Sequence, residues 1–521
     1  MKIVFFNSSR ISIWVLKNWN RRRRKPQNLH FSFKNKNFLR PKSWFCIRFL
    51  ADGSQNPGDD AKTWKIPIVW FNPKSGKSKE QWFFSQKQEV KTIDADFSAW
   101  TLINKDRWSL FRVSYEADAL AKIAADFNTP NLSVEDKVGL LTDALALSVA
   151  SVSDPSGLIA LVRGCKTERN ANVVGEACAI LGSLGKVLRY IGDENVINKF
   201  NEFAKNLFLD GVKEVGFDNK ADDDDNVKRL RNLFLSYAAA YCYEDSWVAG
   251  EAQKRFDSFC NDRKSVSGDA RSAIFKIVVK NGGDATWDKL KELHSTVTDP
   301  AERTDYYQSM GAIKSEAGKV RTLEFAVSPD VRAQDLFQVL AGVANTPGGA
   351  TLTSQWIQDN FASIHKLLGK ASMMLMGHIV RISGSGLYGS DDADKIQKFW
   401  DERGIAQAKK TVDQTVEQIR VNAKYAWLNY FFKIKISLFN MFLILFKQQS
   451  MSTNYFSRTS MIAFDFVCCQ NKTGSSARFA AALSSSPITR GERKVCHFFF
   501  RADIQFNVFS QDGLFANQFS R

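Results

Sequence analysis

From Glu116 to about Leu428 the apolar residues recur at helical spacing, and this constrains the fold more than any other feature of the 521 residues. Leu120, Ile123, Ala124 and Phe127 fall on one face. Ser133 stands where an N-cap is expected for a helix over Val134–Leu147. Asp136 at the third helical position gives a capping-box-like start. Similar helices, each roughly 10–18 residues long, follow one another. They are separated by Asp154-Pro155, Gly282-Gly283, Asp299-Pro300, Ser328-Pro329 and Pro347-Gly348-Gly349. One amphipathic pair cannot bury its own apolar stripe, so repeated pairs predict an irregular α-solenoid of the HEAT/armadillo kind. The stretch Gly268–Gly311 reads as one such pair, with Arg271, Ile274, Phe275 and Val279 before Gly282-Gly283, and Trp287 and Leu290 after it. The glycines supply a turn needing positive φ, and Trp287 a bulky anchor between helices.

Before this array the period is two. Trp64–Phe71, Gln81–Ser85, Glu89–Ile93, Ala99–Asn104 and Ser109–Tyr115 are short and rich in aromatic or β-branched residues, with turn signals at Asn72-Pro73 and Ser75-Gly76. They predict a small antiparallel β-sandwich module. The expected organisation is a basic extension over 1–61, the β-module over 62–115, a mainly α array over 116–428 and a tail over 429–521.

The net charge of +17 belongs to the ends. Residues 1–51 carry 13 Lys/Arg and no acid, and residues 429–521 carry 11 Lys/Arg against 4 acids, or +7. The remainder, 17 − 13 − 7, is −3, so the body has no electrostatic reason to seek nucleic acid. The first 51 residues, with Arg21–Lys25, have the acid-free, Arg-rich character of a mitochondrial transit peptide. A nucleic-acid arm and a poorly structured, non-native extension are the other readings. Ile436–Phe446 is apolar for eleven residues only, whereas a spanning helix needs about 20, so no transmembrane segment is expected there. The tail lacks sustained periodicity and reads as poorly structured. The eight cysteines form no C-x-x-C pair, which suits a reducing, cytoplasmic compartment.

Several segments resemble, in order, the C-terminal half of large zinc aminopeptidases of the puromycin-sensitive and aminopeptidase N type. Trp108–Tyr115 resembles the family's "QTGFYRVNY" strand through Phe111, Arg112, Val113 and Tyr115, with Trp108-Ser109 in place of Thr-Gly. Val138–Asp143 is similar to its "R-x-G-L-x-x-D" helix. Leu323–Ser328 with Val331–Asp335 is similar to "L-x-x-A-L … V-R-x-Q-D", and Thr415–Asn422 to a terminal "Q-x-x-E-x-I-R-x-N" helix. The resemblance implies a helical cap domain that encloses peptides over a separate zinc-bearing domain.

The zinc chemistry of that family needs H-E-x-x-H, which places two imidazoles on one helix face. His30, His294, His365, His378 and His497 are followed by Phe, Ser, Lys, Ile and Phe, and no two are four apart. The family's "G-A-M-E-N" segment is absent too. No catalytic, cofactor-binding or metal-ligating residue is therefore assigned, and zinc is expected only in a catalytic domain outside this chain. Gly384–Gly389 spells G-x-G-x-x-G, but the helical Met373–Ile382 before it makes this a loop between helices. Asp222–Asp225 lacks EF-hand spacing and reads as a solvated loop. Arg332 and Asp335 are spaced to pair with each other, and Met373, Met374 and Met376 to join the core.

The expected function is that of the C-terminal, substrate-enclosing portion of a metalloaminopeptidase in peptide catabolism, inactive alone. Its partners would be peptides or a catalytic zinc-aminopeptidase domain. The alternative is a non-catalytic solenoid that holds peptides or docks on a separate peptidase. A third reading, binding to nucleic acid or membrane surfaces through the basic ends, ranks last.

Overall fold

The computed structural model describes residues 66–77 and, with short interruptions, 96–426, together with strand segments at 2–4, 11–15, 43–46, 82–84 and 88–90. The readings made on Arg21–Lys25, His30, Asp154, Ile436–Phe446 and His497 lie outside the described residues.

The β-module contains strands within the segments that the alternation predicts, and adds Lys2–Val4, Ile11–Val15 and Ser43–Cys46 from the stretch read as a basic extension, where no strand was expected. Ile66–Ile68 pairs antiparallel with Trp82–Phe84, and Gly76–Lys77, Trp70–Asn72 and Leu102–Ile103 pair antiparallel in that order. Arg112–Tyr115 runs antiparallel to Ile11–Val15 in a further sheet that includes Lys2–Val4, Ser43–Cys46 and Gln88–Val90. Ile68, Trp70, Trp100, Leu102, Ile103, Phe111 and Val113 are buried between these elements. Asn72 is wholly buried, and its side chain makes the turn. Its Nδ2 donates to the carbonyls of Asp96 and Trp100, and its Oδ1 accepts from the amides of Lys74 and Ser75.

The helical array follows as α1 Ala117–Ala125, α2 Val134–Val149, α3 Ser156–Gly164, α4 Ala171–Ile191, α5 Glu194–Val215, α6 Asp225–Tyr237, α7 Ser246–Asn261 and α8 Gly268–His294. It continues as α9 Pro300–Met310, α10 Glu316–Ala326, α11 Leu336–Ala344, α12 Gly349–Asp359, α13 Phe361–Leu368, α14 Met373–Gly384, α15 Ser390–Asp401 and a further helix over 409–426. Polar N-caps start many of them. Ser133 and Asp136 complete a reciprocal capping box on α2, while Asn170, Asp193, Asp224, Asp245, Asp299 and Ser315 cap α4, α5, α6, α7, α9 and α10.

Each helix packs mainly on its next or next-but-one neighbour: α2 on α4, α4 on α6, α6 on α8, α8 on α9, α9 on α11, α11 on α12 and α12 on α14. This is the neighbour-by-neighbour burial of an α-solenoid. The resulting core is continuous, from Leu120 in α1 to Ile396 and Trp400 in α15. The Gly282-Gly283 turn is realised as a kink within one long α8, where Gly283 takes φ 59° and ψ −136°, a conformation that only glycine adopts without strain. Gly311 and Gly342 let α9 and α11 approach. A Cβ on Gly342 would sit 2.7 Å from the carbonyl oxygen of Tyr307, and one on Gly311 would overlap the Gly342 backbone.

Among the described residues, one contact reaches especially far along the chain. At the end of α4 the Tyr190 hydroxyl donates to Asp392 Oδ2 at 2.8 Å, and its ring lies 5.6 Å from that of Tyr388, although 202 residues separate Tyr190 from Asp392. Helix α4 is long and apolar enough to cross a membrane by length and composition alone, but half of its apolar window is buried against the array.

Candidate functional site

Polar chemistry concentrates first where the β-module meets α2. After Ile103 the chain takes positive φ at Asn104, Asp106 and Arg107. This turn delivers two cations to α2: Lys105 to Asp136, and Arg107 to Asp143 at 2.7 Å. Arg112 reaches Asp143 from the next strand at 3.0 Å, and the Val113 amide donates to the same carboxylate at 3.0 Å. Burial holds the Asp143 carboxyl above its usual range, because removal from water outweighs the help of Arg107 and Arg112. Every oxygen in this network is spent on holding the module against the array, so the cluster is architectural.

The flagged residues do not converge. His294 ends α8 among Tyr306, Tyr307 and Phe325, with burial and Arg303 lowering its proton affinity. His378 stacks on Phe337 at 4.4 Å, and His365 lies beside Phe361. Gly384 ends α14 against Thr415 and Ile419, and Gly386 turns the chain at φ 74°, so the G-x-G-x-x-G segment is a helix-to-helix loop. Asp223 pairs with Arg231 at 2.6 Å and Asp224 caps α6. Arg332 pairs with Asp335 at 2.6 Å. Met376 is buried, while the side chains of Met373 and Met374 lie outside the described residues. Trp287 donates from its indole to Thr322 at 2.9 Å beneath the Arg321 guanidinium. Among the described residues, no group of three or more His, Cys, Asp or Glu is placed to hold a metal ion.

The second concentration of polar groups was not anticipated. The end of α6 opens into a π-helical turn, Ala238–Cys242, which spreads its carbonyls and carries Tyr241 beside Arg189 of α4. Lys280 of α8 donates to the carbonyl of Ala239 in that turn at 2.5 Å and lies 4.4 Å over the Tyr243 ring. Lys314, from the loop before α10, sits over the same ring at 5.3 Å and pairs with Glu244 at 3.2 Å. Burial, then the charges of Arg189, Lys276 and Lys314, bring the Lys280 ammonium down to about 7.

Paired helices stacked behind a small β-module, with their polar clusters spent on architecture or gathered as cations, define an α-solenoid-type domain. Residues 100–421 match the ERAP1-like C-terminal domain, and the chain belongs to that family. It is similar to Aminopeptidase 2 of Candida albicans, 25% identical over 73% of this chain and 40% of the relative. It is also similar to Aminopeptidase M1-B of Oryza sativa subsp. japonica, 23% identical over 73% of this chain and 44% of the relative. Alanine/arginine aminopeptidase of Saccharomyces cerevisiae is 24% identical over 62% of this chain and 37% of the relative. The chain thus spans about two fifths of the length of these relatives, at their C-terminal part.

Proposed function

We propose that this chain is the substrate-enclosing portion of a metalloaminopeptidase acting in peptide catabolism, and that it does not cleave peptides by itself. It would hold peptides against, or dock upon, a polypeptide that carries the zinc. The observation that carries this reading is the match of the helical array to the C-terminal parts of aminopeptidases, joined to a sequence without H-E-x-x-H. A cytoplasmic location is part of the reading. It is supported by Cys165, Cys178, Cys242 and Cys260, all free thiols.

The test is direct. Purified full-length chain with added zinc is expected to leave aminoacyl-naphthylamides intact. Zinc-dependent turnover that a chelator abolishes would refute the reading.

A further inference from the structure

The body of the chain carries a net charge of −3, yet five cations crowd one place in it. Lys186 and Arg189 come from the last turns of α4, Lys276 and Lys280 from α8, and Lys314 from the loop before α10. Arg189 is close enough to depress the proton affinity of both Lys186 and Lys280, and Lys276 and Lys314 act on Lys280 in the same sense. Counter-charge is sparse. Glu244 is engaged by Lys314, and Asp305, which bears on Lys276, is engaged by Arg271 at 2.8 Å. No carboxylate among the described residues lies within ion-pair distance of Lys186, Arg189, Lys276 or Lys280. Lys186 and Lys314 are exposed, and Arg189, Lys276 and Lys280 half-buried, so the group faces solvent rather than the core.

Such an arrangement is unfavourable in isolation. Like charges repel, and half-burying an ammonium without an anion penalises its charged form. A fold that keeps this arrangement has an uncompensated site for negative charge. The spacing says more about the ligand. Lys276 and Lys280 are one turn apart on a helix, as are Lys186 and Arg189, which puts each pair about 6 Å apart. Alternate side chains of an extended peptide are separated by nearly the same distance, about 6.6 Å.

We propose that the wall formed by Lys186, Arg189, Lys276, Lys280 and Lys314 binds the acidic side chains of an extended peptide. Asp or Glu at alternate positions would meet the paired cations. The Tyr241 and Tyr243 rings, set between α4 and α8, would flank the peptide backbone. Lys280, only partly protonated near neutral pH, would take up its proton fully as a carboxylate arrives. This inference rests on the peptide-holding reading above and adds a preference in sequence to it.

The experiment uses the full chain and two fluorescent peptides, both acetylated and amidated so that side chains are the sole carboxylates. One alternates Glu with Ala, the other Gln with Ala, and binding is followed by anisotropy. The Glu peptide is expected to bind at least about tenfold tighter, and Lys276→Gln/Lys280→Gln to remove that advantage. The double variant also controls for the basic ends, which it leaves unchanged. Should it fail to fold, the exposed pair Lys186→Gln/Lys314→Gln is expected to weaken Glu-peptide binding while its melting temperature stays within about 2 °C. Equal binding of both peptides overturns the acidic preference and leaves peptide holding intact. Binding of neither, or a folded Lys276→Gln/Lys280→Gln protein whose affinity for the Glu peptide is within twofold of wild type, overturns the site itself. None of these results bears on whether the chain hydrolyses peptides.

Discussion

Asp143 is a carboxylate whose loss should loosen the β-module from the helical array. It accepts from Arg107 at 2.7 Å, from Arg112 at 3.0 Å and from the Val113 amide at 3.0 Å. Asp143→Ala orphans that buried amide, at a cost of about 1–3 kcal/mol. Removing one partner of a buried ion pair costs about 3–5 kcal/mol when the other stays buried. Here the Arg107 and Arg112 side chains are 32% and 26% exposed and can turn to water, so the two penalties do not add in full. The expected loss is about 3 kcal/mol, or about 6–12 °C for a cooperative unit of about 150–250 residues. Urea unfolding followed by far-ultraviolet circular dichroism measures it. Because burial raises the Asp143 carboxyl above its usual value, the folded chain keeps this proton where the unfolded chain has lost it. The group's stabilisation is therefore complete below about pH 4 and is lost as pH rises through the raised value. The deficit of Asp143→Asn relative to wild type should accordingly be widest in acid and narrow toward neutrality. Replacing the whole triad with Arg107→Met, Arg112→Met and Asp143→Leu should recover the ion-pair part of the loss and leave only the cost of the orphaned Val113 amide, about 1–2 kcal/mol. A loss below about 1 kcal/mol for Asp143→Ala, or a triple variant as weak as the single one, would refute the reasoning.

Two further outcomes follow from packing. Gly342→Ala should cost about 1–3 kcal/mol by pushing α9 off α11, visible as a lowered urea midpoint, and a neutral result would contradict the close approach at Tyr307 and Gln308. Burial pushes the Cys178 and Cys242 thiols up to about 12 and also raises those of Cys165 and Cys260. Alkylation of native protein near neutral pH should therefore spare the buried Cys165 and Cys242 until urea is added, as read by peptide mapping, and rapid native labelling of Cys242 would be inconsistent with its buried position.

The parts of the fold written in local signals were legible. Strand alternation over 64–115 and helical spacing beyond Glu116 reported burial directly, and Ser133 with Asp136 announced the start of α2 before any neighbour was known. The Gly282-Gly283 break was visible too, though its outcome as a kink inside one helix depends on α9 packing across both halves of α8. What stayed hidden was pairing at a distance. Nothing in the linear sequence links Lys105 and Arg107 to Asp136 and Asp143, which are joined only when the positive-φ turn at Asn104–Arg107 lays the strand end over α2. The Lys186–Lys314 wall was hidden for the same reason. Its members come from three segments up to 128 residues apart (314 − 186), in a body whose net charge is slightly negative. No linear count reveals such a concentration.

Because most helices meet their partners within one or two elements, assembly requires the closure of short loops only. Growth can proceed from the ribosome in order, each new hairpin settling on a surface already complete. The bond from Tyr190 to Asp392 is different: its two halves are synthesised far apart in time, so it can close only once α15 has been made. A nascent chain halted before residue 392 would own nearly all of its helices and still lack that fastening.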